Sequence, residues 1–362
     1  MDEVENGVHH GNGTLAMEDL YTVKYEINSN HKAATTSIKI SPDGKTMATS
    51  SSDSTIKVYN FKTGELITEL MGHTMGISEI EYSPINSDIL ASCSDDLTIR
   101  LWCISKQKCI KILKKHTYHV TTIKFTSKGN ILISGSADET ITIWDLLSGK
   151  ILKTLAAHSD PILSLSITPD NSIIISASYD GLMRLFDLET GQCLKTLTYN
   201  STSHGTATAS TNDVLNFPIS NVEISPNGKY ILSSSLDGVI RLWDYMNNKI
   251  IKTYNGKNGN FISEKYCCGS KFIIKTQDPK IVSGSESDGL LIWDLQSKSI
   301  DYQYKVNQEP VLQLDIFDDG KIIATCTRNG IITILELNDK YLKHNSTNDE
   351  DQSPTPNPEI QS

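Results

Sequence analysis

One stretch of text recurs seven times along this chain, and that recurrence restricts the fold more than any other feature. The segment ILISGSADETITIWDLLSGKILKTL is preceded by MATSSSDSTIKVYNFKTGELITEL and ILASCSDDLTIRLWCISKQKCIKIL. It is followed by IIISASYDGLMRLFDLETGQCLKTL, ILSSSLDGVIRLWDYMNNKIIKTY, IVSGSESDGLLIWDLQSKSIDYQY and IIATCTRNGIITILELN. One aromatic slot falls at Tyr59, Trp102, Trp144, Phe186, Trp243 and Trp293, with Leu335 as its last, degenerate member. The spacings are 43, 42, 42, 57, 50 and 42 residues, and all four tryptophans of the chain sit in this slot. Each unit alternates short apolar and polar runs with Pro-Asp, Asn-Gly, Ser-Asp or Ser-Gly turn signals, the pattern of four antiparallel strands joined tightly.

A period near 42 with Trp-Asp dipeptides resembles the WD40 family and implies an all-β, seven-bladed propeller over residues 19–338. A ring must close or leave two strand edges open. The last unit stops after three strands, while Tyr21–Ile27 alternates like a strand ahead of the first full unit, so these two are expected to pair. The stretch 199–217, rich in Ser, Thr and Asn, reads as an insertion loop, and 256–280 adds about eight residues. Residues 1–18 and 339–362 are expected to be disordered tails. Those ends matter for charge. The chain carries −10, but residues 1–20 hold −5 and residues 339–362 hold −3, leaving the propeller nearly neutral.

The chain has no evident nucleic-acid site of its own, so no direct nucleic-acid contact is expected. No apolar run approaches the ~20 residues of a membrane span, and the start MDEVENGVHHGNG lacks the basic and apolar regions of a secretory signal. Seven cysteines include no CxxC pair, so neither a metal site nor a cofactor is expected. Lys106, Lys108, Lys111, Lys114 and Lys115 cluster on the fourth strand of the second unit. They read as edge protection, with a docking patch for an acidic partner as the alternative.

His, Ser and Asp recur together: His73, Ser92 and Asp96, then His116, Ser134 and Asp138, then His158, Ser176 and Asp180. A nucleophilic triad needs one such set beside an oxyanion hole. Repetition at the blade period reads instead as a structural hydrogen-bond network that includes Trp102 and Trp144. The network thins along the chain. Phe186 cannot donate, the fifth unit lacks a matching His, the sixth has Ser287 where Asp belongs, and the seventh has Asn329 and Leu335. The later blades are therefore expected to be looser. No HExxH, GxxxxGK[ST] or helix-opening GxGxxG is present, and no enzymatic activity is expected.

GHTMGISEI, AHSDPILSL, SASYDGLMRLFDLETGQCLKTL, SPNGKYIL, LWDY and SEKYC closely resemble the WD-repeat core subunits of COMPASS/MLL-type histone H3 lysine-four methyltransferase complexes. The resemblance implies a nuclear, non-catalytic scaffold that docks a SET-domain methyltransferase and a second WD-repeat subunit. It implies two sites. One is an arginine pocket at the mouth of the central channel, built from Ala34, Gly76, Ile77, Ser78, Asp95, Tyr179, Tyr266 and Cys267. Both clamping rings of that pocket are missing, with Thr121 and Gly269 in their places, and Leu163 replaces a channel-side serine. Losing two cation–π contacts costs roughly a hundredfold in affinity, so binding of the SET-domain motif or the histone H3 tail is expected to be weak or differently built. Phe261 or Phe272 is a candidate substitute ring. The other site, for a short acidic-hydrophobic peptide of the second WD-repeat subunit, is implied at Asn227, Tyr230, Leu242, Lys252 and Gln296. The alternative is a substrate adaptor of a ubiquitin ligase or another multiprotein complex. The Trp-Asp-x-Arg signature common in such adaptors is absent, since Leu147, Met246 and Gln296 fill its last position.

Overall fold

The computed structural model describes residues 19–199, 217–305 and 309–343. They form seven four-stranded antiparallel sheets, each a blade. Six blades take their strands in chain order. The seventh is ordered differently: strand Tyr21–Asn28 lies outside strand Ile331–Leu337, followed by Ile322–Thr327 and Val311–Phe317. The expected closure is therefore observed, with Tyr21 opposite Leu337 and Ile27 opposite Ile332. Side chains lock the seam. Tyr302 Oη donates to the Tyr21 carbonyl at 2.9 Å, and Tyr341 Oη donates to the Asp19 carboxylate at 2.8 Å.

The blades hold together through seven apolar clusters, one at each blade boundary, where aliphatic side chains from neighbouring sheets interdigitate. The first boundary illustrates the recipe: Ile56, Val58 and Leu70 of blade 1 meet Ile80, Leu90 and Trp102 of blade 2. The seventh blade packs on the first through Cys326, Ile332 and Ile334 against Ile38, Met47 and Phe61.

The turn between the second and third strands is set by its aspartate. The residue after that Asp is left-handed, and it is glycine at Gly181 and Gly238 but Ser54, Leu97 and Glu139 elsewhere. The aspartate compensates. Asp138 Oδ1 accepts from the Thr140 amide at 3.1 Å, and Asp53 and Asp96 do the same for Thr55 and Thr98.

One expectation needs adjustment. The expected C-terminal tail begins at residue 339, yet Asp339–Tyr341 forms a 3-10 turn capped by Asn338, and Leu342 bridges to Thr276 of blade 6. A cap and a bridge satisfy backbone groups that a bare tail would leave to water. The proposed tail 1–18, the rest of 339–362 and most of the 199–217 loop lie outside the described residues. Among the described residues no helix is long and apolar enough to cross a membrane.

Candidate functional site

The repeated His/Ser/Asp sets come together as the repeat pattern implied. In blade 3, His116 Nδ1 lies 2.9 Å from Asp138 Oδ2 and Nε2 lies 2.8 Å from Ser134 Oγ, while Trp144 Nε1 donates to Ser134 Oγ at 2.9 Å. Blade 2 repeats this with His73, Asp96, Ser92 and Trp102, and blade 4 with His158, Asp180 and Ser176. Assigning the imidazole proton to Nδ1 lets every role close: indole to serine oxygen, serine hydroxyl to Nε2, Nδ1–H to carboxylate. Burial favours that neutral ring and lowers the His73 pKa below its usual 6.5, against the pull of Asp96. The three serines are 0% exposed and already engaged, so none is open to a substrate. These are structural ties between outer and inner strands.

The first blade carries the same tie: His31 lies 3.1 Å from Asp53 Oδ2 and 3.0 Å from Thr49 Oγ1. Sequence reading missed it because Thr stands for Ser and Tyr59 for Trp. The signal was available, since His31 and Asp53 are 22 residues apart, as are His116 and Asp138. Blade 5 lacks the His but not the tie. Arg241 pairs with Asp237 and lies against the Tyr199 ring, 3.7 Å from its centroid, while Trp243 still donates to Ser233 at 2.8 Å. In blade 6 the network is rerouted, with Trp293 Nε1 donating to the Asn255 carbonyl at 3.0 Å.

The central channel encloses a cavity of about 330 Å³. A ring of charges crosses its wall. Lys39 pairs with Glu81 at 2.7 Å, Lys124 with Glu79 at 2.7 Å and Glu81 at 3.1 Å, and Lys271 with Asp315 at 3.4 Å. Burial works to raise the Glu81 carboxyl, but Lys124 and Lys39 outweigh it and hold the group down at about 2.

At the mouth, Ser78, Thr121, Leu163, Tyr266, Cys267 and Gly269 line the cavity, whereas Ala34, Gly76, Ile77, Asp95 and Tyr179 do not. Most of the polar atoms there are engaged. The Thr36 hydroxyl donates to the Ile77 carbonyl at 2.7 Å, Thr121 donates to the Ile162 carbonyl at 2.5 Å, and Ser94 donates to the Gly76 carbonyl at 2.7 Å. Asp95 accepts from Ser78 at 3.3 Å. The space beside Gly269 is also filled, because a Cβ there would lie 2.5 Å from Gln313 Oε1. Neither candidate substitute ring reaches the channel. Phe272 is buried between blades 5 and 6, where its strand's alternation directs it, and Phe261 is exposed and packs over Gly238. Arg328 was overlooked. It occupies in the seventh unit the place of Asp95 and Tyr179, directly after the last residue of the second strand, and its Nη1 donates to Tyr266 Oη at 2.9 Å.

On the opposite side, four of the residues implied for the second peptide, Tyr230, Leu242, Lys252 and Gln296, gather at the boundary of blades 5 and 6, and Asn227 lies in the turn before Tyr230. Tyr230 packs on the cluster that contains Leu242 and Trp293. Lys252 Nζ donates to the carbonyls of Leu295 and Gln296 and to Gln296 Oε1, at 2.9, 2.8 and 3.0 Å. Asn227 Oδ1 accepts from Ser225 Oγ at 2.7 Å and from the Lys229 amide at 3.1 Å. One detail departs from expectation. Leu242 is only 4% exposed, so it supports Tyr230 from beneath instead of offering a surface. Both faces of a central strand are covered here, and an apolar residue on it goes inside.

The Lys252 contact is itself a repeat. Lys111 donates to the carbonyls of Leu146 and Leu147, and Lys195 to those of Tyr245 and Met246, each reaching the turn of the next blade. Lys111 therefore leaves the lysine cluster and acts as a clamp between blades, while Lys106, Lys108, Lys114 and Lys115 stay exposed.

Comparison with known proteins matches the geometry. A family described as the WDR5 beta-propeller domain matches residues 27–336. Among curated proteins, the nuclear distribution protein nudF of Aspergillus flavus is 34% identical over 112 residues, 30% of this chain and 24% of that protein. The Polycomb protein EED of Chaetomium thermophilum is 41% identical over 80 residues, 20% of this chain and 14% of that protein. These matches span about a quarter or less of the relatives' own length.

Proposed function

The chain belongs to the WDR5-type β-propeller family, whose members are generally non-catalytic scaffolds, and from that premise we propose that it is a scaffold subunit of a COMPASS/Set-type histone H3 lysine-four methyltransferase complex. It docks the SET-domain subunit and a second WD-repeat subunit, works in the nucleus, and touches the histone H3 tail weakly if at all. The observation that carries this reading is the seat at blades 5 and 6. Tyr230, Lys252 and Gln296, separated by up to 66 residues in sequence, come together at one boundary, with Asn227 in the turn that precedes Tyr230. A half-buried tyrosine at this boundary suits an apolar side chain of an extended peptide, and the Lys252 ammonium, though its three donors are engaged, adds a positive charge that favours acidic neighbours. A scaffold of this kind raises the rate of its partner by holding components in register, not by its own side chains.

Affinity purification of the tagged full chain followed by mass spectrometry tests the proposal. A SET-domain methyltransferase and a second WD-repeat protein are expected. The double variant Tyr230→Ala with Gln296→Ala is expected to lose the WD-repeat partner and keep the SET-domain subunit. Leu242 is unsuitable for this purpose, because a charge there would enter the core. Cullin-ligase subunits in place of the methyltransferase would overturn the proposal in favour of a substrate adaptor.

A further inference from the structure

The boundary between blades 2 and 3 repeats the frame of the seat at blades 5 and 6, on the same face of the ring. Lys111 stands opposite Leu101 as Lys252 stands opposite Leu242, and each lysine clamps the turn between the third and fourth strands of the next blade. Ile89 pairs with Cys103 where Tyr230 pairs with Asp244, and Leu147 holds the turn position of Gln296. What differs is the chemistry presented. Leu147 is 91% exposed and Ile85 is 69% exposed, the two highest values for a large apolar side chain among the described residues. They share one surface. A Cβ on Gly129 would lie 2.8 Å from Ile85 Cγ1, and the carbonyl of the next residue, Asn130, accepts the Leu146 amide at 3.0 Å. Leu146 packs on the apolar cluster of this boundary and leads directly into Leu147.

Folding also divides the lysine cluster. Lys114 and Lys115 lie at the far end of strand Lys108–Lys114, roughly 20 Å from its start at the usual rise of a strand. Lys106 and Lys108 stay at the turn end, and two lysines of blade 3 join that end: Lys128 beside Gly129, and Lys150 just after the Leu147 turn. All four are exposed, and none makes an ion pair among the described residues. The carboxylates on this face of blades 2 and 3 are fewer and already engaged. Asp88 accepts the Ser105 amide at 2.7 Å and hydroxyl at 2.8 Å, and Asp145 accepts the Ser148 amide at 3.1 Å. In the flanking blades, Asp43 pairs with Lys45 at 3.2 Å, and Asp170 accepts from Thr168 and Ser172. Protection of an edge strand explains neither Lys128, which stands in a turn, nor a nearly bare leucine. We propose that this boundary is a second docking seat, for an extended acidic segment of a partner protein. An apolar side chain of that segment rests on Leu147 and Ile85, and carboxylates on either side of it meet the four lysines.

The test uses the full chain carrying Tyr230→Ala and Gln296→Ala, which removes the other seat, and the labelled peptide Gly-Glu-Glu-Leu-Phe-Asp-Glu-Gly. Binding is followed by fluorescence anisotropy in about 0.15 M salt, where charges more than ~8 Å apart are screened. The peptide is expected to bind about tenfold more tightly than a control with Ser-Ser for Leu-Phe, or one with Gln and Asn for its acids. Leu147→Ser should weaken it about tenfold, and so should Lys106→Glu combined with Lys150→Glu. Lys114→Glu combined with Lys115→Glu, at the far end of the strand, should leave it unchanged. All these positions are exposed, and circular dichroism establishes that the variants fold. No binding of the parent peptide overturns the proposal, as does equal binding of either control, or equal losses from the near and far lysine pairs. Dimerisation in sedimentation that Leu147→Ser abolishes would give the surface to a second copy of the chain and overturn it as well. The scaffold reading stands apart, since co-purification of its two subunits depends on the seat that this experiment removes.

Discussion

Blades 1 to 4 and blades 5 to 7 solve one problem in two ways. In the first group, a buried histidine ties the turn aspartate to a serine or threonine on the second strand, with nearly the same distances four times. In the second group each blade has its own device. Blade 5 uses Arg241 on Asp237, blade 6 sends its indole to a backbone carbonyl, and blade 7 fills the aromatic slot with Leu335, while Glu26 of the closing strand accepts from Thr333 at 3.2 Å and Tyr304 at 2.7 Å. The candidate seat around Tyr230 lies in the second group, whereas most residues of the candidate arginine pocket, from Ala34 to Tyr179, lie in the first. The repeated network consumes its own polar groups. Where it is relaxed, Tyr230, Gln296 and Arg328 are individual to their blades. The expectation that later blades are looser is thus better put as later blades being stitched differently.

The contrast can be broken most severely at its seam, where the irregular blade 7 meets the regular blade 1. Deleting residues 1–28 removes the strand opposite Ile331–Leu337 and exposes two edges. The melting temperature should fall by at least about 10 °C, and an unchanged value in calorimetry would mean that the ring does not need this strand. Next come matched serine deletions. Ser134→Ala orphans the Trp144 indole and His116 and should cost about 2–3 kcal/mol in urea titration, with the slope unchanged. Arg241→Ala leaves Asp237 without its partner and should cost about 2 kcal/mol by the same measurement, less than a fully buried pair because some water reaches the site. Ser283→Ala occupies the equivalent position to Ser134, but Trp293 donates elsewhere, so its cost should stay under about 1 kcal/mol. Equal losses at Ser134 and Ser283 would erase the distinction between the two groups.

The mildest test is acid. Burial keeps His31 and His73 neutral in the fold and lowers their pKa values below 6.5. As pH drops below 6.5, the unfolded chain takes up protons that the folded chain refuses, so stability falls. The turn aspartates add to the loss further down, since hydrogen bonds hold Asp53 at about 2 despite its burial. Replacing both histidines with glutamine should flatten the stability profile between pH 6.5 and 5, followed by thermal melts. A slope unaffected by that change would place the acid sensitivity outside the first group.

Much of this was legible from the repeat. The seven units, the closing strand and the ties of blades 2 to 4 follow from a fixed spacing of His, Ser, Asp and Trp, because every such tie spans the same backbone geometry. What escaped had no such rule. The substitution of Arg241 for a histidine is invisible because an arginine at that place already occurs as Arg100 and Arg184 beside intact histidines. The burial of Leu242 escaped because central strands are covered on both faces, so alternation does not separate core from surface. Lys111 looked like its exposed neighbours until its ammonium was seen on the next blade's turn. The Arg328–Tyr266 contact joins side chains 62 positions apart, and only folding brings them together.

The closing strand also has a temporal meaning. A ribosome releases Tyr21 some three hundred residues before Leu337, yet these two residues are neighbours, and the Tyr21 hydroxyl finds its acceptor 299 positions later. The strand Tyr21–Asn28 therefore has no pairing partner until Ile331–Leu337 has been made. Throughout elongation the nascent protein carries an unmatched edge at each end of a growing arc, and long-range pairing of this kind is slow and prone to stray association. Any chaperone that assists this protein must guard two distant edges at once, and must let go only when the final blade has emerged.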